Sequence, residues 1–195
     1  MGSPLLAHKF LVYSTTRFPS TTTDSCPEES NVEIFDTTAL QGITDIRASP
    51  GRCTCRLPVA PRIQNRNGML HGGCTATIVD VVGTAALLTL APRGGVSLTI
   101  NTNYLTSMPG GSGCVVFIDA QVLRVGRTIA VVQVDLRNDA NGVLVAQGTH
   151  VKFISSAETD LGKLLVSGGG GGGDSGVPEA VDWEKSKNTT VRSRM

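Results

Sequence analysis

His71-Gly72-Gly73-Cys74-Thr75-Ala76-Thr77-Ile78-Val79-Asp80-Val81-Val82-Gly83-Thr84-Ala85-Ala86-Leu87-Leu88-Thr89-Leu90 is the stretch that decides the architecture. Its β-branched residues suit a strand as well as a helix. Length separates the two, because strands rarely exceed about ten residues. The run therefore reads as one helix, opened by Gly72-Gly73 and closed by Pro92 and Gly94. A helix apolar on most sides must lie buried, so the rest of the chain has to wrap it.

The flanking sequence supplies strands to do so. Gly42 to Ala48 reads as a short strand, and Pro50-Gly51 marks a turn. Arg52 to Val59 alternates, with Cys53, Cys55, Leu57 and Val59 on one face. After the helix, Val96 to Tyr104 alternates again. Cys114 to Val125 is a long strand turning at Val125-Gly126 into Thr128 to Asn138. Asp139-Ala140-Asn141-Gly142 is a hairpin turn into Val143 to Ile154. The expected class is α+β, an antiparallel sheet of about six strands around one long central helix. The strand from Cys114 to Val125 reads as apolar on both faces over much of its length. The face turned from the helix then needs a second partner, which predicts an oligomer.

Composition narrows the function classes. With 40% hydrophobic and 17% charged residues, the chain carries enough apolar side chains for a packed core. A net charge of +1 without a basic stripe argues against nucleic acid as a partner. The longest apolar stretch is interrupted by Asp80 and too short to span a bilayer. Five cysteines without CxxC spacing read as reduced structural thiols, and three scattered histidines offer no metal cluster and no metal-ligating residues. No cofactor is implied.

Outside the core, residues 1–34 read as a variable or targeting N-terminal arm and 35–156 as the folded domain. Residues 157–195 read as a linker with the glycine run Gly168 to Gly173, then a polar tail. Met1 to Thr23 contains no acid and resembles an organelle transit peptide, pointing to mitochondrion or plastid. The terminal Ser193-Arg194-Met195 resembles a peroxisomal address, and the cytoplasm stands beside these organelles as a reading of location.

Asp80 is the one charged residue between Gly72 and Ala91. A carboxylate among aliphatics either has hydrogen-bonding partners, such as Thr77 or Thr84, or has a task. His71-Gly72-Gly73 at a helix start leaves peptide N–H donors uncovered, able to hold an oxygen gaining negative charge. Gly73 shares a helical face with Asp80, two turns away, so donor and carboxylate could flank one groove.

The run Asn65-Arg66-Asn67-Gly68-Met69-Leu70-His71-Gly72-Gly73 through Asp80 resembles the signature of small hotdog-fold thioesterases. It is most similar to the acyl-coenzyme A thioesterase 13 group, also called thioesterase superfamily member 2, and to phenylacetate-pathway thioesterases. Gly95-Val96-Ser97, Asn101, Tyr104, Gly126-Arg127-Thr128, Val134-Asp135-Leu136 and Ala146-Gln147-Gly148 extend the likeness over about Leu40 to Phe153. The resemblance implies a hotdog fold that hydrolyses acyl-CoA, with medium- to long-chain fatty acyl groups first and aromatic acyl groups second. It implies that Asp80 activates water or attacks the thioester directly, and that the Gly72 amide polarises the carbonyl. Asn65 and His71 would orient the thioester and water, and Ser97 would hold the water. It further implies a homodimer with a shared active site, Asn65 and Gly72 from one subunit and Asp80 and Ser97 from the other, and a homotetramer of two such dimers.

One segment departs from the family: Thr106-Ser107-Met108-Pro109-Gly110-Gly111 lacks the usual basic residue. Arg124, Arg127 and Lys152 are then the candidates for pairing with the coenzyme phosphates. Two further readings stand beside the hydrolase: a non-catalytic acyl-CoA-binding hotdog scaffold, and a hotdog acyl-thioester dehydratase or hydratase, whose Asp-then-His order is absent here.

Overall fold

The computed structural model describes residues 2–15, 35–91 and 95–154. The expectations placed on Pro92 and Gly94, on most of the N-terminal arm, on the glycine run and on the terminal Ser-Arg-Met lie outside those residues. The elements are α1 (Pro4–Thr15), α2 (Phe35–Leu40), β1 (Thr44–Ser49), β2 (Arg52–Pro58), a 3-10 turn (Pro61–Ile63), α3 (Gly72–Leu88), β3 (Val96–Tyr104), β4 (Val115–Val125), β5 (Ile129–Asn138) and β6 (Leu144–Phe153).

The long apolar run is helical, as its length predicts. Ile78, Val79, Val82 and Ala85 to Leu88 are all fully buried. The six strands form one antiparallel sheet in the order β1-β2-β4-β5-β6-β3, and its inner face closes over α3. That face is built from the alternate residues expected on β2, Cys53, Cys55 and Leu57, continued by Val116, Ile118 and Ala120 on β4 and Val132, Val134 and Leu136 on β5. Pro50-Gly51 turns β1 into β2 with Gly51 at φ +79°, and Gly142 closes the β5–β6 hairpin at φ +72°.

Along β6 the inward residues are Ala146, Gly148, His150 and Lys152. Two are small for a steric reason. A Cβ on Gly148 would lie 2.4 Å from Val79 Cγ2, so only glycine lets β6 approach α3 this closely. That approach brings His150 and Lys152 against the second half of the helix.

β3 crosses the helix and joins the sheet at its far edge, pairing only with β6. Its other edge has no partner among the described residues, and Val96, Leu98 and Tyr104 of this strand are exposed.

Two features differ from the sequence reading. Within the segment read as an N-terminal arm, α1 is packed against α3, and its Ala7 and Leu11 belong to the core. The Gly2 and Ser3 amides donate to the Leu90 and Leu88 carbonyls, satisfying acceptors that a helix end otherwise leaves orphaned. Second, β4 is not apolar on both faces. Its outward row is Val115, Phe117, Asp119 and Gln121. Asp119 holds Arg52 at 2.6 Å, and the Arg56 guanidinium lies over the Phe117 ring. Charge pairing, rather than a second apolar layer, occupies that part of the surface. No helix among the described residues is long and apolar enough to cross a membrane.

Candidate active site

Asp80 projects from the middle of α3 where the sheet leaves the helix uncovered. Its side chain is 42% exposed, so it is not sunk among aliphatics as the composition of the run suggests. It opens onto a pocket of about 500 Å³ lined by Phe35, Asp36, Ala76, Thr77, Ile100, Thr102 and Tyr104. The neighbouring hydroxyls do not satisfy it. Thr77 Oγ1 donates to the Gly73 carbonyl and Thr84 Oγ1 to the Asp80 main-chain carbonyl. The carboxylate keeps its lone pairs for other partners.

Those partners come from the edge of the sheet. Ser97 Oγ on β3 is 3.5 Å from Asp80 Oδ1 and 2.9 Å from His150 Nε2. His150 Nε2 is itself 3.6 Å from Asp80 Oδ1, and Lys152 Nζ is 3.9 Å away. The pairing of β3 with β6, Ile100 opposite His150 and Ser97 opposite Lys152, gathers the three side chains. His150 is completely buried. Burial, then the charge of Lys152, lower its pKa to about 4 against the opposing pull of Asp80 and the Asp80 and Val79 carbonyls. Its imidazole is therefore neutral at physiological pH. Asp36, in the same pocket, has its carboxyl pushed up by burial and by the charge of Asp80.

The helix start forms a second, separate constellation. His71 is the N-cap of α3, and its Nδ1 accepts from Gly73 N at 2.9 Å. This leaves the imidazole proton on Nε2. The same bond corrects the expectation for Gly73: its N–H is occupied by the cap and is not a donor for substrate. Gly72, at the first helical position, has no carbonyl four residues back within the helix to bond, so its amide is the open donor. Its carbonyl accepts from Tyr104 Oη at 2.9 Å. Asn65 is locked by its own loop, Oδ1 accepting from Asn67 N at 2.9 Å and Met69 N at 3.2 Å. With Oδ1 so engaged, the amide Nδ2 is the free end. Asn65 and Gly72 line one groove of about 390 Å³ with Met69, Tyr104, Thr106 and Met108. The segment that departs from the family pattern thus forms one wall of it.

Within one chain the two pockets share Tyr104 as a wall, but their functional groups are set apart. Gly72 and Asp80 are eight residues apart on α3, about 12 Å along the helix axis. Sharing a helical face does not bring them to one groove.

The basic candidates separate in the same way. Arg124 and Arg127 are exposed around the β4–β5 turn. Lys152 is not a surface cation. It is buried beneath Asp80, donating to Thr84 Oγ1 at 2.7 Å, and no coenzyme phosphate can reach it there. His150 and Asp36 were not singled out from sequence for the site; Thr84 entered only as a hydroxyl partner for Asp80 and Tyr104 only as a match to the family. The alternation along β6 carried the one available signal: Gly148 and Ala146 must face the helix, so His150 and Lys152 must as well.

Cys53, Cys55 and Cys74 are buried thiols and poor nucleophiles. Burial pushes Cys53 up to about 12 and Cys74 to about 11, and holds Cys55 well above the ordinary thiol range.

Residues 67–145 match the profile of the thioesterase superfamily. Human acyl-coenzyme A thioesterase 13 is 43% identical over 116 residues, 58% of this chain and 81% of that protein. The crystal structure of zebrafish thioesterase superfamily member 2 superposes with a TM-score of 0.58 at 40% identity, covering 61% of this chain and 86% of its own. A Streptococcus pneumoniae hypothetical thioesterase, solved with coenzyme A, has a TM-score of 0.57 at 25% identity, over 63% and 92% of the two chains.

Proposed function

The chain belongs to the thioesterase superfamily and is a thioester hydrolase, and from that premise we propose that it cleaves acyl-CoA to the free acid and coenzyme A at a site shared by two copies. One observation carries the reading. The half-exposed carboxylate of Asp80, with Ser97 3.5 Å away, and the open Gly72 amide beside Asn65 are complementary halves of an acyl-transfer site. They lie about 12 Å apart on one helix. A thioester must have its carbonyl oxygen about 3 Å from the donors and its carbon about 3 Å from the attacking oxygen. Two copies joined through the free edge of β3 would set the Asn65–Gly72 groove of one against Asp80 of the other. An unpaired strand edge with exposed apolar residues favours such pairing. Two of these dimers would make the homotetramer.

In this arrangement Ser97 Oγ and Asp80 hold a water. Asp80 takes a proton from it as its oxygen bonds to the carbonyl carbon. The Gly72 N–H and Asn65 Nδ2 of the second copy hold the oxyanion. Collapse breaks the C–S bond, and the coenzyme thiolate leaves with the proton that Asp80 took from the water. The apolar walls given by Phe35, Ala76 and Ile100 suit a medium- to long-chain acyl group. Arg124 and Arg127 remain the candidates for the coenzyme phosphates.

The test offers the purified protein a series of acyl-CoAs of rising chain length, with thiol release followed by a chromogenic disulfide. Asp80→Asn and Asp80→Ala are expected to lose at least about a hundredfold in kcat, the scale of a lost general base. Wild-type turnover retained by both variants would remove Asp80 from the chemistry. Saturable binding without thiol release would favour the scaffold reading.

A further inference from the structure

Lys152 is among the buried ionisable groups that the hydrolysis described above leaves unused. Lys152 is 4% exposed, and an ammonium in such a place is costly unless paired. Its hydrogen bond is to Thr84 Oγ1 at 2.7 Å. That hydroxyl in turn donates to the Asp80 main-chain carbonyl at 2.8 Å. Among the described residues, Asp80 is the one acid within ion-pair reach, with Oδ1 3.9 Å from Nζ. The lysine is thus tied to the backbone and to the side chain of the same residue. Oδ1, the oxygen facing the ammonium, is also the one facing Ser97 Oγ and His150 Nε2.

We infer that Lys152 is a positioning residue for the proposed hydrolysis: its ammonium, anchored through Thr84, is the buried counter-charge that keeps Asp80 Oδ1 turned to Ser97. The inference rests on the acyl-CoA hydrolase reading. The physical need is clear from the exposure of Asp80. A half-exposed carboxylate with its neighbouring threonines bonded elsewhere has nothing on its own helix to fix its rotamer. From the sheet, Ser97 and the neutral His150 supply dipoles, and Lys152 supplies the one positive charge. Asp36 on α2 and Tyr104 on β3 face the carboxylate from the pocket side. Asp36 is a like charge that pushes Asp80 away rather than holding it.

Two readouts test this. Lys152→Met removes the charge and keeps most of the stem. Its kcat is expected to fall roughly 10- to 100-fold, the effect of misplacing a reacting group by about an ångström. KM should change little, because Lys152 does not touch substrate. Thermal stability should not fall, since an apolar residue relieves the burial of the ammonium. Thr84→Val, which loosens the anchor and leaves the charge, should show a smaller loss of kcat.

The second readout needs no turnover. Burial lowers the Lys152 pKa and the charge of Asp80 raises it. Following the lysine side chain by NMR during a pH titration should therefore show it moving further below the ordinary lysine range in Asp80→Asn. A lysine that titrates identically in both proteins overturns the inference, as does an active wild type whose Lys152→Met variant keeps full kcat. A wild type inactive on every acyl-CoA, with the lysine shift intact, instead sinks the hydrolase reading and leaves the ion pair standing.

Discussion

Subunit complementation tests the division of the site most directly. One chain carries Asn65→Ala, the other Asp80→Asn. Each homodimer then lacks one half of both sites. In a mixed dimer, the site that draws Asn65 from the Asp80→Asn chain and Asp80 from the Asn65→Ala chain is intact, and the other lacks both groups. The geometry behind this is the separation along α3, about 12 Å for eight residues. Oxyanion donors and attacking oxygen must lie within about 3 Å of the same carbonyl. Random reassociation of equal amounts makes about half of the dimers mixed, each with one intact site in two, so activity should recover to about a quarter of wild type. Thiol release measures the recovery, and native mass spectrometry of two differently tagged chains counts the mixed dimers. Mixed dimers present in the expected proportion, yet no more active than either parent, would refute the cross-subunit site.

Two further outcomes follow from the packing and the buried imidazole. Gly148→Ala would force a Cβ to within 2.4 Å of Val79 and should cost about 1–3 kcal/mol by overpacking. Urea denaturation would measure the loss, and Val79→Ala in the same chain should restore most of it. His150 resists protonation until about pH 4 in the folded protein, against 6.5 for an ordinary histidine. The unfolded chain therefore binds the extra proton first. Its contribution to stability is complete above about pH 6.5 and declines as pH falls toward 4. His150→Gln should flatten the dependence of melting temperature on pH across that window, and an unchanged slope would show that the imidazole is not held neutral.

Asp80 was legible because one charge in a run of aliphatics is anomalous in any fold, and α3 because no strand is that long. The hairpins were legible from their turn residues, since Gly142 and Gly51 adopt backbone conformations that L side chains avoid. The roles of Gly73 and Lys152 were misread for one shared reason. Composition assigns a donor or a charge but not its partner. The His71 cap takes the first, and Thr84 with Asp80 takes the second. The helix α1 escaped because it lacks acids and sits in a Ser- and Thr-rich segment. Its stability comes from Ala7 and Leu11 docking on α3 rather than from any pattern of its own.

Local chemistry, then, determined the elements, the carboxylate and the open helix start, because period, length and turn residues act within a few positions of the chain. Only the tertiary structure decided that β3 lies beside β6 at the sheet edge and so sets Ser97, His150 and Lys152 around Asp80. Residues 97 and 150 have no local means of finding each other. Their contact is fixed by strand register, Ser97 lying opposite Lys152 and Ile100 opposite His150.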